Sequence, residues 1–233
     1  MHHQNVINKL NKSIIKIKAL KPQVISIRKY WECYALILVN NRHWNNANKW
    51  MSGKTSISRS DIKDLSIACK NNDQSWATLF VVTMLWGYGE SDDSGPIKLY
   101  FALKTNNADQ IISKTAEYVA KADLVNAFIK IRELDEIGGS FGTKYLFAVG
   151  QAYEHMPIPL VLDSKIIKAL RNLWGESDAE KLFELKKQPY IYSSAIKTAA
   201  VGYVAYCAII QKIAEQLNEP TTPEHLEQFL FED

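Results

Sequence analysis

The stretch that decides the reading is Ile137-Gly138-Gly139-Ser140-Phe141-Gly142-Thr143-Lys144-Tyr145-Leu146-Phe147-Ala148-Val149-Gly150. It is followed, after a short connection, by Pro159-Leu160-Val161-Leu162-Asp163-Ser164-Lys165-Ile166. Three glycines at 138, 139 and 142 predict a turn in which the backbone can approach a ligand closely. The residues after it predict a helix from Thr143 to about residue 153. Free N–H groups at the start of that helix, with the positive end of its dipole, make a seat for a phosphate. Lys144 falls in the predicted first turn, where a cation opposes the dipole, which points to a use outside the helix itself. Pro157 and Pro159 end the connection, and Asp163 starts a further helix to about Trp174.

Working outward, helical signals dominate. Residues 24–39 read as one helix. Ser60 with Asp61 reads as the capped start of another, carried on by Ile62, Leu65 and Ala68. Residues 75–86 are apolar nearly all round, which predicts a helix buried at the centre of a domain. Residues 107–134 hold one or two helices with a break near Ala122 and Asp123. A long helix is expected over 194–217, and Thr222 before Pro223 caps a last short one. No alternating pattern persists long enough to predict a strand of ordinary length. The class expected is all-α, with nine or ten helices. The expected organisation is one unit over 1–233, in two helical subdomains flanking a cleft. Residues 75–175 carry the hairpin, while 1–74 and 176–233 pack together as the second subdomain.

Bulk properties narrow the function. With 47% apolar and 23% charged residues the chain has ordinary globular composition. No apolar run approaches the roughly 20 residues needed to cross a bilayer, so no membrane role is expected. Cys33, Cys69 and Cys207 are too far apart for an iron–sulfur cluster or a Cys-rich zinc site and suit a reduced, cytoplasmic protein. His43 and His155 lack partners at metal-ligand spacing, so neither metal nor cofactor is expected. The net charge of +3 permits nucleic-acid binding without arguing for it. No acidic residue precedes Glu32, while Lys9, Lys12, Lys16, Lys18, Lys21, Arg28 and Lys29 are basic. That segment reads as the solvated face of a helix or as a phosphate-facing arm.

The motif Gly142-Thr143-Lys144, followed 19 residues after the lysine by Asp163 behind Pro159-Leu160-Val161-Leu162, resembles the helix-hairpin-helix DNA glycosylases, and among them the 8-oxoguanine glycosylase branch. The likeness of motif covers about 137–170. The last helices, with Gly202-Tyr203 and Glu227-Gln228-Phe229-Leu230-Phe231, resemble a small bacterial form of that fold. The resemblance implies a monomeric enzyme of the cytoplasm and nucleoid, acting on duplex DNA that carries a damaged or modified base, in base excision repair. It implies Lys144 as the nucleophile and Asp163 as the carboxylate beside it. Three departures stand out. The hairpin carries an extra residue, Lys165 stands where a histidine usually follows the aspartate, and no β-rich N-terminal domain is present.

The chemistry needs these residue types. Breaking an N-glycosidic bond builds positive charge on the sugar, which a carboxylate stabilises. A neutral amine attacking C1′ forms a Schiff base, from which β-elimination can cut the strand. Burial would lower the lysine's pKa and supply that neutral form. Taken singly, a lysine near a turn and an aspartate at a helix start are commonplace; their combination with the glycines and the spacing favours the enzyme.

Other residues follow from what a base flipper requires. Gly139, Gly142, Thr143 and Lys165 are expected near phosphates. Tyr88, in Gly87-Tyr88-Gly89-Glu90, is the wedge candidate, with packing on a helix end as the plain alternative. Ala148, four residues after Lys144, leaves room for a base. Tyr203 and Tyr206 share a face and could stack on it, although core packing is expected for one of them. The cluster Asn41-Arg42-His43-Trp44-Asn45-Asn46 reads as a surface loop with one buried tryptophan, or as a DNA-contacting loop. The base expected is 8-oxoguanine. Another modified base, for example one in viral DNA, or a non-catalytic DNA-binding module are the alternatives.

Overall fold

The structure is a computed structural model that describes residues 2–20, 24–26, 31–88, 94–184, 195–219 and 221–232. Among the described residues it holds fourteen helices and one small sheet, more helices than the nine or ten expected because several are short. In chain order they begin with α1 (His2–Lys12), α2 (Ile14–Ala19), β1 (Val24–Ser26), α3 (Trp31–Leu38), α4 (Arg42–Trp50), β2 (Ser56–Ser58) and α5 (Arg59–Lys70). Then come α6 (Trp76–Tyr88), α7 (Gly95–Lys104), α8 (Ala108–Ala120), α9 (Leu124–Ile131), α10 (Gly139–Gly150) and α11 (Ser164–Trp174). The chain closes with α12 (Glu176–Phe183), α13 (Ala195–Gln216) and α14 (Pro223–Glu232).

The expected single helix over 24–39 is corrected. Val24, Ile25 and Ser26 pair antiparallel with Ser58, Ile57 and Ser56, and α3 begins only at Trp31. Pairing with a partner some 30 residues away overrides a local helical pattern. The cap expected at Ser60 sits two residues earlier. Ser58 receives the Asp61 N–H, and the Asp61 carboxylate receives the Ser58 N–H, a reciprocal capping box.

Helix α6 is the axle. Every residue from Ala77 to Trp86 is buried, as is Tyr88, and the helix packs against α4, α5, α8 and α10. A helix apolar on all sides can be stable only when enclosed in this way. The break predicted near residue 122 is present: Ala122 adopts a positive φ of 58°, and Asp123 caps α9 by accepting the Asn126 N–H. Helix α13 packs on α9, α12 and α14, and at Gly202 it runs so close to α12 that an added Cβ would strike the Phe183 carbonyl oxygen. Thr222 caps the last helix, its hydroxyl accepting the His225 N–H.

The hairpin is formed differently from the expectation. Gly139 and Gly142 lie inside α10, which starts four residues before Thr143, and the turn itself spans 132–138. Leu134 and Ile137 anchor that turn in the core, and Glu136 takes the left-handed conformation within it. Gly142 serves close packing: a Cβ there would lie 3.0 Å from Ile131 Cγ2. Lys144 is therefore in the second turn of α10, clear of the N-terminal end of the dipole.

Candidate active site

Two elements deliver the two expected catalytic groups to one place. Helix α10 carries Lys144, and the extended segment 159–163 leads to Asp163 at the start of α11. Lys144 Nζ lies 3.6 Å from Asp163 Oδ2, and both side chains are about nine-tenths enclosed. The other carboxylate oxygen, Oδ1, accepts the N–H groups of Lys165 and Ile166, each at 3.1 Å. Asp163 is thus both the cap of α11 and the partner of Lys144, one oxygen for each task.

Thr143 locks the two elements together. Its hydroxyl oxygen accepts the Leu162 N–H at 3.0 Å and donates to the Ser140 carbonyl at 3.0 Å. Behind the segment, the Tyr203 hydroxyl donates to the Leu160 carbonyl and the Tyr206 hydroxyl to the Val161 carbonyl, at 3.0 and 2.9 Å. Burial pushes both phenols far above their ordinary pKa, so they remain donors. Three consecutive residues before Asp163 are thereby tied down by side chains from α10 and α13.

Lys144 is set in a sleeve. Its ammonium donates to the Gly87 carbonyl at 3.3 Å and lies 5.0 Å from the centre of the Phe141 ring. A Cβ at Gly87 would come within 2.8 Å of Lys144 Cδ, so the absence of a side chain there leaves the channel for the lysine stem. Burial lowers the Lys144 pKa below its ordinary value, and Lys165 adds to that; Asp163 and Glu227 pull it back up. Lowered basicity means a larger neutral-amine fraction at moderate pH, the form that can attack carbon.

The structure places the other expected residues as follows. Thr143 and Gly142 lie beside Lys144 but are buried; Gly139 begins α10, and Gly138 before it, being a glycine, offers no side-chain cap to the first-turn N–H groups. Lys165 is exposed at the start of α11, its ammonium 4.3 Å over the Phe231 ring. Tyr88 is not on a projecting tip: it ends α6, is 4% exposed, and packs on Phe141 with ring centres 4.1 Å apart. A wedge must be free to enter the base stack, and this packing does not leave it so; Gly89 and Glu90 lie outside the described residues. Tyr203 and Tyr206 are both wholly buried, so core packing takes both rings and not only one. Ala148 is buried in α10 as well. Residues 41–46 form the capped start of α4, with Asn41 accepting from His43 and Trp44 and with Trp44 buried against Tyr34. Lys21, Arg28 and Lys29 of the basic N-terminal segment lie outside the described residues.

Sequence reading missed two pairs of residues. Gly87 and Phe141 form the lysine sleeve; the i, i+3 spacing of Phe141 and Lys144 was a usable signal. Glu227, wholly buried on α14, and its partner Arg59 at the start of α5 had none, being 168 residues apart. Among the described residues no helix is long and apolar enough to cross a membrane.

A family model described as "Putative 8-oxoguanine DNA glycosylase OGG-like protein" matches residues 26–231. No curated protein and no solved structure matches the chain.

Proposed function

The chain belongs to this OGG-like 8-oxoguanine DNA glycosylase family, whose match takes in most of its length, and from that premise we propose that it excises a damaged base from duplex DNA through a Schiff base on Lys144. The observation that carries the proposal is the enclosed Lys144–Asp163 pair at 3.6 Å. A lysine whose amine is made less basic by burial and a carboxylate held by helix N–H groups are the two groups that base excision by an amine requires.

In this reading the flipped nucleotide brings C1′ to the Lys144 amine. Nζ bonds to C1′ as the C1′–N bond breaks, and the base departs with the electron pair and a proton. Asp163 stabilises the positive charge that builds on the sugar. The C1′–O4′ bond then opens as the nitrogen lone pair forms the protonated Schiff base, O4′ taking a proton to become the C4′ hydroxyl, and removal of a C2′ proton then expels the 3′ phosphate. Lyase activity follows from the same lysine. The base proposed is 8-oxoguanine, in keeping with the family description. The first-turn N–H groups of α10 and the exposed Lys165 are the proposed phosphate contacts, and the protein acts as a monomer.

The test is a panel of duplexes, each with one modified base and one unmodified control, incubated with the protein and borohydride. A covalent adduct with the 8-oxoguanine duplex and little with the control is the expected result. Capture of a different modified base would keep the mechanism and replace the substrate. Capture of none, with no free base released, would reject the enzyme reading.

A further inference from the structure

Beyond Lys144 and Asp163, this region holds a second, largely enclosed ion pair. Arg59 Nη1 and Nη2 donate to Glu227 Oε2 and Oε1 at 2.7 and 3.2 Å, a two-pronged contact between α5 and α14. Glu227 is wholly buried, and the Arg59 side chain is 12% exposed. The guanidinium also lies 4.9 Å from the centre of the Phe147 ring and 5.7 Å from that of Trp86, and these rings stack on each other 6.0 Å apart. Both rings are close in the chain to the groups that set the lysine. Phe147 stands three residues after Lys144 on α10, and Trp86 immediately precedes Gly87, whose carbonyl receives the ammonium.

Stability alone is a weak reason for such a pair. Removing two charges from water costs much of what their attraction returns, and apolar replacements of similar volume are often as stable. What the pair does contribute is local order and a fixed charge. We infer that Arg59 and Glu227 are positioning residues for Lys144: Glu227 holds the guanidinium, and the guanidinium braces the stacked Phe147 and Trp86 rings, which belong to the helices that carry Lys144 and its Gly87 acceptor. The inference rests on Lys144 as nucleophile. Its charge consequence follows from the groups facing the amine, which are Asp163 and Lys165 from the start of α11 and Glu227 from α14. Losing the Glu227 carboxylate removes one of the charges that favour a protonated Lys144.

The test uses duplex DNA with a preformed abasic site, so that base recognition plays no part, and reads borohydride trapping against pH in single turnover. Wild type, Lys144→Gln, Glu227→Gln and the double variant Arg59→Met/Glu227→Gln are compared. In Glu227→Gln the rising acid limb should move to lower pH, because a charge that favours the ammonium is gone. In the double variant, which exchanges the pair for neutral groups, the limb should lie at the same lowered position, since the Glu227 carboxylate is lost there too. Its plateau rate should nevertheless fall at least tenfold, with DNA affinity kept, because the rings have lost their clamp. An unmoved limb in Glu227→Gln, or a double variant with the wild-type plateau, overturns the inference. If the single variant does not fold, the plateau of the double variant decides alone. A wild-type protein that traps nothing, or a Lys144→Gln protein that still traps, removes Lys144 as nucleophile and takes this inference with it; wild-type trapping that Lys144→Gln abolishes keeps the two questions apart.

Discussion

Thr143 and Leu162 are joined by a hydrogen bond, the Leu162 N–H donating to the Thr143 hydroxyl at 3.0 Å, and each immediately precedes one of the two groups proposed for the chemistry. The contact sets the register between α10 and the segment that carries Asp163. It gives the interval of 19 residues a physical meaning, since the threonine–leucine tie and the lysine–aspartate pair span the same interval one residue apart.

Thr143→Val keeps the volume of the side chain but removes the acceptor, leaving the buried Leu162 N–H without its partner. The expected loss of stability is about 1–3 kcal/mol, the cost of a buried unsatisfied donor. Trapping on abasic DNA should fall although Lys144 and Asp163 are unchanged, and Thr143→Ser should restore most of it. Chemical denaturation and single-turnover trapping measure the two effects, and a valine variant with a full trapping rate would show that the tie is dispensable.

Gly87→Ala separates geometry from stability in the opposite way. The new Cβ would press on Lys144 Cδ at 2.8 Å, and a lysine stem can move aside at little energetic cost. Alanine also favours a helix over glycine by roughly 0.5–1 kcal/mol. The melting temperature should therefore hold or rise slightly. The displaced amine should trap abasic DNA at least about tenfold more slowly, since misplacement by an ångström can cost on the order of 10²-fold. A variant as fast as wild type would show that the sleeve does not set the lysine.

The pH dependence has a fixed sign. Attack needs neutral Lys144, so the rate should rise with pH and level off once the amine is deprotonated. Burial lowers the Lys144 pKa from the ordinary 10.5, which puts the levelling point below that value. Asp163 favours the ammonium, so Asp163→Asn should move the limb to still lower pH while reducing the plateau. A limb centred at the value of a free lysine would contradict the enclosed environment of the amine.

Asp163→Asn should leave the fold nearly intact, because asparagine is also a strong helix cap; the change in stability should be a few tenths of a kcal/mol. Base release from lesion DNA should drop by roughly 10²–10³, the scale for losing one preorganised electrostatic group. Release and melting temperature measured on the same preparation make the comparison, and base release at the wild-type rate would show that the carboxylate charge is not used in the chemistry.

The parts of this molecule legible in its sequence were those set by local composition. The buried α6, the long α13, the Asp163 cap and the break after Ala122 each carry their signal within a few residues. The hairpin was misplaced because glycine is a poor helix former, yet Gly139 and Gly142 are helical. Packing decides there, since Gly142 must let α10 approach Ile131. The β1–β2 pairing and the Arg59–Glu227 contact join residues far apart in the chain and left no local trace. Tyr88, Tyr203 and Tyr206 show the reverse limit. Aromatic residues near a proposed site suggest stacking on a base, but here their rings complete the protein interior and two of their hydroxyls hold the Asp163 segment.

The measurement that bears most directly on the central claim is borohydride trapping of abasic-site DNA by wild type and Lys144→Gln, with DNA binding followed in parallel. Glutamine keeps the length and polarity of the side chain but cannot form a Schiff base, and one charge contributes little to an interface with many phosphates. Wild type should give a covalent adduct, and Lys144→Gln should give none while binding the same duplex at nearly the same affinity. An adduct formed undiminished by Lys144→Gln would place the nucleophile on another residue and contradict the account given for the Lys144–Asp163 pair.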